Sequence, residues 1–152
     1  MNNFLFLLFC VILCSCGHNT YENYYSFTDK KWNSDSIVTF QYTICDTTKS
    51  YDLKLKIRHT VNYEFQNLFL FLGGSKKDTV ELILSDKIGK WLGSGICDVR
   101  EVEYIFDKDR VFMRKGKQEL TIEQAMRYGY LEKVENLENV LDVGLIILEH
   151  ND

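Results

Sequence analysis

The chain has 152 residues, a formal net charge of −4 and 45% hydrophobic residues. This length fits a single domain with a substantial core once an N-terminal address segment is set aside. The mild acidity argues against nucleic acid as a partner, because binding to phosphates needs a basic stripe. Composition therefore favours a folded domain that acts on, or binds to, something other than nucleic acid.

Residues 1–15 are predicted to be a signal peptide. The apolar run at residues 4–13 is ten residues long, whereas a membrane-spanning helix needs about 20. The run ends in Leu-Cys-Ser-Cys at residues 13–16, which resembles a bacterial lipobox, where the last cysteine sulfur carries a diacylglyceryl group. We therefore predict lipidation at Cys16. The alternatives are an ordinary secretory signal with incidental cysteines, or a short buried strand.

Residues 16–31 are predicted to be the lipidated N-terminus and a tether, because they are polar and aromatic without a clean period. Fully extended, the chain from residue 16 to residue 32 spans at most roughly 55 Å, at about 3.3–3.6 Å per residue. Such a tether could hold a domain at residues 32–152 clear of the lipid headgroups. Alternatively, its aromatic residues pack on the domain or lie at the lipid interface.

Two cysteines, Cys45 and Cys97, remain in the predicted domain once the three N-terminal ones are set aside. An oxidising envelope compartment permits a disulfide between such a pair. Both residues lie at the ends of predicted strands, where a cross-link is geometrically feasible. Two free buried thiols are the alternative.

The segment at residues 53–72 organises the predicted domain. Leu53, Leu55 and Ile57 alternate with basic residues, which predicts a strand with one buried face and one wet face. Residues 68–72 are apolar at every position, as in a central strand covered on both faces. We expect these two neighbouring strands to pair as an antiparallel hairpin.

Further strands are predicted by the same reasoning at residues 38–44, 80–84 and 102–106. The last strand, at residues 143–149, is apolar on both faces and is expected to be central. Several short strands with turns between them indicate an all-β fold, an antiparallel β-sandwich of the jelly-roll or immunoglobulin-like type.

One short helix is predicted near residues 121–128. Thr121 and Gln124 have capping-box spacing, in which the two side chains satisfy amides at the start of a helix. Ile122 and Met126 would share one helical face, and the glycine at position 129 is a plausible end.

Candidate catalytic and metal-binding residues are few. No two of the three histidines or five cysteines have the H-x-x-x-H or C-x-x-C spacing that places two metal ligands on one element. A cysteine nucleophile would need Cys45 or Cys97 beside His59, and nothing in the sequence supports that. We expect no metal, no cofactor and no enzymatic activity.

The loop at residues 89–95 is the best candidate for a contact surface. Trp91 lies between glycines, with Gly93 and Gly95 following it, and could present an aromatic face to a protein partner or a sugar ring. The alternative is that Trp91 caps the open end of the sandwich while the glycines satisfy turn geometry. Arg58 poses a similar choice between an exposed arginine and one bound to a carboxylate such as Asp86.

A set of ordered motifs resembles the gliding-motility lipoprotein family GldH. The set begins with the lipobox and Trp32, and continues with R-H-T-x-x-Y at residues 58–63 and Asn-Leu-Phe at residues 67–69. A G-x-W-x-G-x-G segment at residues 89–95 follows. Met-Arg at positions 126–127 and Asp-Val-Gly-Leu at positions 142–145 complete the set, which runs over nearly the whole predicted mature chain.

This resemblance implies a lipoprotein associated with the outer membrane of Bacteroidetes-type bacteria, on its periplasmic or cell-surface side. Members of the family are needed for gliding and associate functionally with the machinery that moves and exports surface adhesins. The family carries no established enzymatic activity. The expected function is therefore that of a non-enzymatic accessory component with envelope protein partners. The alternative is an envelope module that binds glycans through the loop containing Trp91.

Overall fold

The structure, a computed structural model, describes residues 19–74 and 77–151. Strands account for most of these residues, and a single turn of 3₁₀-helix lies at Thr28–Lys30. None of the described residues belongs to a helix long and apolar enough to span a membrane. The ten strands, in chain order, are β1 (Asn19–Ser26), β2 (Lys31–Asn33), β3 (Val38–Ile44), β4 (Ser50–Thr60), β5 (Asn67–Gly73), β6 (Asp78–Ile83), β7 (Val99–Val111), β8 (Gly116–Gln124), β9 (Asn136–Glu138) and β10 (Val140–Glu149).

Two four-stranded sheets pack in a sandwich. Sheet A has the strand order β1-β10-β4-β7, and sheet B has the order β3-β8-β5-β6. The short strands β2 and β9 pair with each other. Every pairing is antiparallel, so the predicted all-β antiparallel sandwich is confirmed.

The core forms where the strands alternate between buried and exposed residues. In β3, every second residue is buried along the whole strand, and in β4 the same pattern buries Leu53, Leu55 and Ile57. The latter three pair across sheet A with the buried residues Ile147, Leu145 and Val143 of β10. Full burial of one such side chain stabilises the fold by roughly 1.5–3 kcal/mol, so this ladder is a large part of what holds sheet A against sheet B.

The predicted central position of the last strand is confirmed. Strand β10 lies between β1 and β4, and six consecutive residues from Asp142 to Ile147 are buried. A strand with two hydrogen-bonded neighbours, and with both faces covered by side chains, is expected to be apolar on both faces.

The predicted hairpin between the two halves of residues 53–72 is wrong. Strand β4 lies in sheet A, whereas β5 lies in sheet B between β8 and β6. The residues between β4 and β5 cross from sheet A to sheet B. Leu55 and Leu70 are both fully buried, because each lies on the inner face of its sheet and is covered by the other sheet. Strand β5 is also not covered on both faces, since Phe71 is 43% exposed on the outside of sheet B.

The predicted helix near residues 121–128 is also wrong. Strand β8 continues to Gln124, and burial of Ile122, Gln124 and Met126 gives a period of two rather than 3.6. The side chain of Gln124 is used differently from a helix cap. Its amide nitrogen donates to the Val134 carbonyl at 2.7 Å, and its oxygen accepts from the Met126 amide at 3.0 Å.

The predicted tether at residues 16–31 is wrong from residue 19 onward. Strand β1 (Asn19–Ser26) is the edge strand of sheet A and pairs with β10. Tyr21 of β1 packs against the core, with its ring centroid 5.8 Å from that of Tyr42. The backbone of β1 pairs with backbone groups of β10 that would otherwise be left free at the edge of the sheet. The polar and aromatic side chains of β1 give no sign of this backbone pairing. The sandwich therefore begins at residue 19, and the predicted signal peptide at residues 1–15 lies outside the described residues.

The two ends of the sandwich carry different features. At one end, Asn19 begins β1, and Val111 of β7 pairs with Ser50 at the start of β4. At the other end, Thr60 closes β4, and the long connection from β6 to β7 carries Trp91. We call these the Asn19 end and the Trp91 end.

Candidate contact surface at the Trp91 end

The side chain of Trp91 packs over the core at this end of the sandwich and does not project into solvent. An isolated bridge joins it to Ser85, and its half-buried ring packs against the hydrophobic core. The ring centroid lies 4.7 Å from that of His59, at an interplanar angle of 62°, and 6.4 Å from that of Tyr63. Edge-to-face contacts of this kind stabilise aromatic clusters. The geometry therefore favours the structural alternative for Trp91.

His59 is a buried residue of β4. Its side chain is 0% exposed. The ring nitrogen Nδ1 lies 2.9 Å from the Thr60 carbonyl oxygen and must donate to it, so Nε2 is unprotonated in the neutral ring. Nε2 has no hydrogen-bond partner within the described chain. Burial lowers the pKa of His59 and so favours the neutral ring over the charged one.

Gly93 and Gly95 are required by the close approach of the loop to β7. A Cβ atom on Gly93 would lie 2.0 Å from the Glu101 carbonyl oxygen, and one on Gly95 would lie 2.1 Å from that of Val99. Gly93 also has a φ of +77°, which L side chains rarely adopt. These glycines let the loop containing Trp91 lie directly against the first residues of β7.

Asp86 organises the same loop and does not pair with Arg58. Its Oδ1 accepts hydrogen bonds from the backbone amides of Ile88 and Lys90, at 3.0 and 2.8 Å. The partner of Arg58 is Asp142, on the neighbouring strand. The suggested pairing of Arg58 with Asp86 is therefore wrong, because the carboxylate of Asp86 is used to shape its own turn.

An aromatic row links the loop containing Trp91 to a second loop that the sequence did not point to. Tyr63 lies 5.8 Å from Phe65, and Phe65 lies 5.7 Å from Tyr128, between ring centroids. The only local signal for this second loop was Tyr-Gly-Tyr-Leu at positions 128–131, which followed the wrongly predicted helix.

We refer to the exposed apolar side chains on these two loops as the distal patch. Among its members, Ile88 is 89%, Ile96 82% and Tyr130 96% exposed. Side chains this exposed cannot line a deep cleft. The members of the distal patch are Ile88, Leu92, Ile96, Tyr128, Tyr130 and Leu131.

The structure contradicts the disulfide between Cys45 and Cys97, since both are free, exposed thiols. Cys45 follows β3 at the Asn19 end, and Cys97 precedes β7 at the Trp91 end. The length of β4 separates these ends, about 33 Å at roughly 3.3 Å per residue, whereas a disulfide needs Cα atoms within about 7 Å.

Cys16, the predicted lipidation site, lies outside the described residues. No group of three or more potential metal ligands occurs in the part of the chain that the structure describes.

Comparison with known proteins identifies the family. The family model for GldH lipoprotein matches residues 19–147. The gliding motility lipoprotein GldH of Flavobacterium johnsoniae is 35% identical over 96% of this chain and 95% of its own length. A GldH homolog from Christiangramia forsetii is 34% identical over 95% of this chain and 93% of its own length.

Among solved structures, one of the Gx strain of infectious bursal disease virus aligns with 90% of this chain and 34% of that chain. The alignment has 12% identity and a TM-score of 0.34. That similarity is too low to support a functional comparison, whereas the sequence matches extend over nearly the full chain. The resemblance stated from the motifs is thereby confirmed, and the chain belongs to the GldH lipoprotein family.

Proposed function

We propose that this lipoprotein is a non-enzymatic accessory component of a gliding-motility or surface-protein export apparatus, anchored to the outer membrane through lipid on Cys16. The observation that carries the proposal is the 35% identity to the gliding motility lipoprotein of Flavobacterium johnsoniae over 96% of the chain. The packing supports a structural rather than a catalytic use of His59. Its ring packs between Trp91 and Tyr63, and Nδ1 donates a hydrogen bond to a backbone carbonyl.

The distal patch is the surface through which we propose that the domain contacts an envelope protein. Its exposed apolar side chains lie on two loops joined by the aromatic row through Tyr63 and Phe65. Several exposed apolar side chains at one end of a domain are typical of protein interaction sites. The row beneath them is packed against the core, so the patch is presented on a rigid base.

A glycan-binding role is less well supported by this geometry. Sugar rings are bound by the exposed face of an aromatic side chain in a cleft with convergent polar groups. The ring of Trp91 is half-buried and contacts His59, and the apolar residues Ile88 and Ile96 of the same loop are strongly exposed. A protein partner fits these exposed apolar side chains better.

Substitution of Cys16 tests the anchor. Covalent lipid contributes roughly 0.8 kcal/mol per buried CH₂, so two or three acyl chains hold a domain firmly at a membrane. Cys16→Ala should abolish labelling of the protein by a palmitate analogue and release it from the membrane fraction. Undiminished labelling in this variant would contradict the anchor.

Substitutions in the distal patch test the accessory role. Ile96→Ser and Tyr130→Ser remove exposed apolar side chains, so we expect a several-fold loss of colony spreading or of surface-adhesin display at an unchanged melting temperature. Ile105→Ser is the matched control, because Ile105 is 44% exposed on the outer face of sheet A. Normal spreading in both patch variants would contradict the contact surface. Loss of spreading in His59→Phe with an unchanged melting curve would contradict the non-enzymatic assignment.

A further inference from the structure

The Asn19 end of the sandwich lies close to the proposed lipid anchor. Three residue steps separate Cys16 from Asn19, the first residue of β1. At about 3.3–3.6 Å per residue, these steps span at most roughly 11 Å. A diacylglyceryl group on Cys16 would therefore hold the Asn19 end at the level of the lipid headgroups. The inference that follows rests on the proposed anchor.

The turn from β7 to β8 lies at this end and extends beyond the start of β1. Asn19 pairs with Leu148, and Leu148 pairs in turn with Asp52 of β4. Val111 pairs with Ser50, which lies two positions beyond Asp52 toward the end of the sheet. Two positions correspond to about 7 Å along a strand. The turn therefore projects past the start of β1, on the side from which the lipid approaches.

The tip of this turn presents apolar side chains on a fixed base. Val111 is 59% and Met113 90% exposed, whereas Phe112 between them is only 6% exposed. The ring of Phe112 is held edge-to-face by Tyr42 and Tyr51, at centroid distances of 6.2 and 5.7 Å. Burial of Phe112 directs its two neighbours outward, because side chains alternate along an extended chain.

The same tip is basic. Arg114, Lys115 and Lys117 are all exposed and lie within four consecutive positions. The exposed carboxylate of Asp109 is adjacent in sequence to the exposed ammonium of Lys108. Four further carboxylates at this end contact local partners: Asp46 with Thr48, Asp52 with His150, Asp107 with Arg110, and Glu149 with Lys49. Glu119 on β8, two positions from Lys117, is exposed and accepts a hydrogen bond from the side-chain amide of Gln41 at 3.4 Å.

We propose that the turn between β7 and β8 is a membrane-contact surface that seats the Asn19 end on anionic lipid headgroups. Val111 and Met113 enter the interfacial layer, and the three cations contact phosphate groups beside it. Exposed apolar side chains flanked by lysine and arginine are the features by which peripheral segments bind anionic bilayers. The domain is then held upright, with the distal patch facing away from the lipid and open to a partner.

The two native thiols provide the test, because Cys45 lies at the Asn19 end and Cys97 at the Trp91 end. Full-length lipidated protein with Cys97→Ser or with Cys45→Ser carries a single fluorophore on its remaining surface thiol. Each is reconstituted into vesicles of phosphatidylethanolamine and phosphatidylglycerol that contain a lipid with a nitroxide on its headgroup. We expect quenching to be several-fold stronger at Cys45 than at Cys97.

Two matched substitutions identify the surface responsible. Met113→Asp should reduce quenching at Cys45 several-fold, whereas Ile88→Asp should leave it unchanged, because Met113 and Ile88 are 90% and 89% exposed at opposite ends. Equal quenching of the two thiols, or no effect of Met113→Asp, would overturn the membrane contact. If Met113→Asp abolished spreading without changing quenching, the turn would be assigned to a protein partner. That result would also overturn the membrane contact.

Flotation of the same vesicles separates this inference from the proposed anchor. Protein that floats with the vesicles but shows equal quenching has the anchor without the membrane contact. Protein that does not float lacks both. The Cys16→Ala variant provides the unanchored reference in the same experiment.

Discussion

Arg58 and Asp142 form a bidentate ion pair between the two central strands of sheet A. The Nε of Arg58 donates to Oδ1 of Asp142 at 2.8 Å, and Nη2 donates to Oδ2. Asp142 is only 2% exposed, so the guanidinium donates the hydrogen bonds that water would donate to an exposed carboxylate. The guanidinium carbon also lies 6.0 Å from the ring centroid of Tyr24 on β1. The pair therefore joins β10 to β4 and contacts the edge strand.

Removal of the arginine should destabilise the fold. We expect Arg58→Ala to lower the free energy of unfolding by about 2–3 kcal/mol, because it leaves a buried carboxylate without its partner. Lys54→Ala on the same face is the control. Lys54 and Glu103 are 4.0 Å apart, with 22% and 48% of their side chains exposed, and a pair that is open to solvent contributes about 0–1 kcal/mol. Urea unfolding monitored by circular dichroism measures both. Equal stability of the two variants would contradict a structural role for the Arg58 pair.

His59 should make the fold less stable as the pH falls. Burial lowers its pKa in the folded state below the unfolded value, so the unfolded chain binds the proton more readily. Its contribution is fully present above the unfolded pKa of about 6.5, and is lost as the pH falls from there toward the lower folded value. His59→Phe keeps the ring beside Trp91 and should flatten this loss of stability.

The second described histidine gives a slope of opposite sign and serves as the control. The hydrogen bond from His150 to Asp52 raises the pKa of His150, so its contribution is present at low pH and is lost as the pH rises through the folded value. Melting temperatures between pH 5 and 8 should therefore differ in slope for His59→Phe and His150→Asn. A His59→Phe profile parallel to the parent protein would show that His59 does not titrate with folding.

Two glycines of the loop containing Trp91 should differ in their response to alanine. Gly89 and Gly93 have φ values of +83° and +77°, but only Gly93 has a carbonyl oxygen where a Cβ would be placed. Gly89→Ala should cost about 1–2 kcal/mol from backbone strain alone. Gly93→Ala should cost roughly 1–3 kcal/mol more, because the loop must move away from β7. Unfolding free energies of the two variants decide this, and equal costs would argue against the close approach.

Both thiols should react in the folded protein. Cys45 and Cys97 are exposed and unbonded, so a thiol reagent should modify two sites per chain of mature lipidated protein without denaturant or reductant. Replacing either residue by serine should change the free energy of unfolding by less than about 0.5 kcal/mol, as is usual for surface positions. Protection of both thiols that disappears on reduction would instead indicate the bond that the structure contradicts.

The sequence by itself determined the features that are encoded locally. The alternation of Leu53, Leu55 and Ile57 predicted a strand with one buried face, because successive side chains of an extended chain point to opposite sides. The segment at residues 143–149 is apolar on both faces up to its final glutamate, and this pattern predicted a central strand. The ordered motifs from Trp32 to residue 145 likewise predicted the family. The error at residues 121–128 arose because a capping-box spacing of three residues also occurs by chance in a strand.

Only the tertiary structure decided which elements lie beside each other. The partner of Arg58 is 84 positions away in sequence, and strand β1 pairs with the last strand rather than with a neighbour. Trp91 was judged from the glycines around it, but its role depends on His59 and Tyr63, which come from another strand and its following turn. These pairings depend on which apolar faces can be buried against each other in the folded chain. The free energy of that burial arises from contacts between segments that are distant in sequence, so no single segment encodes it.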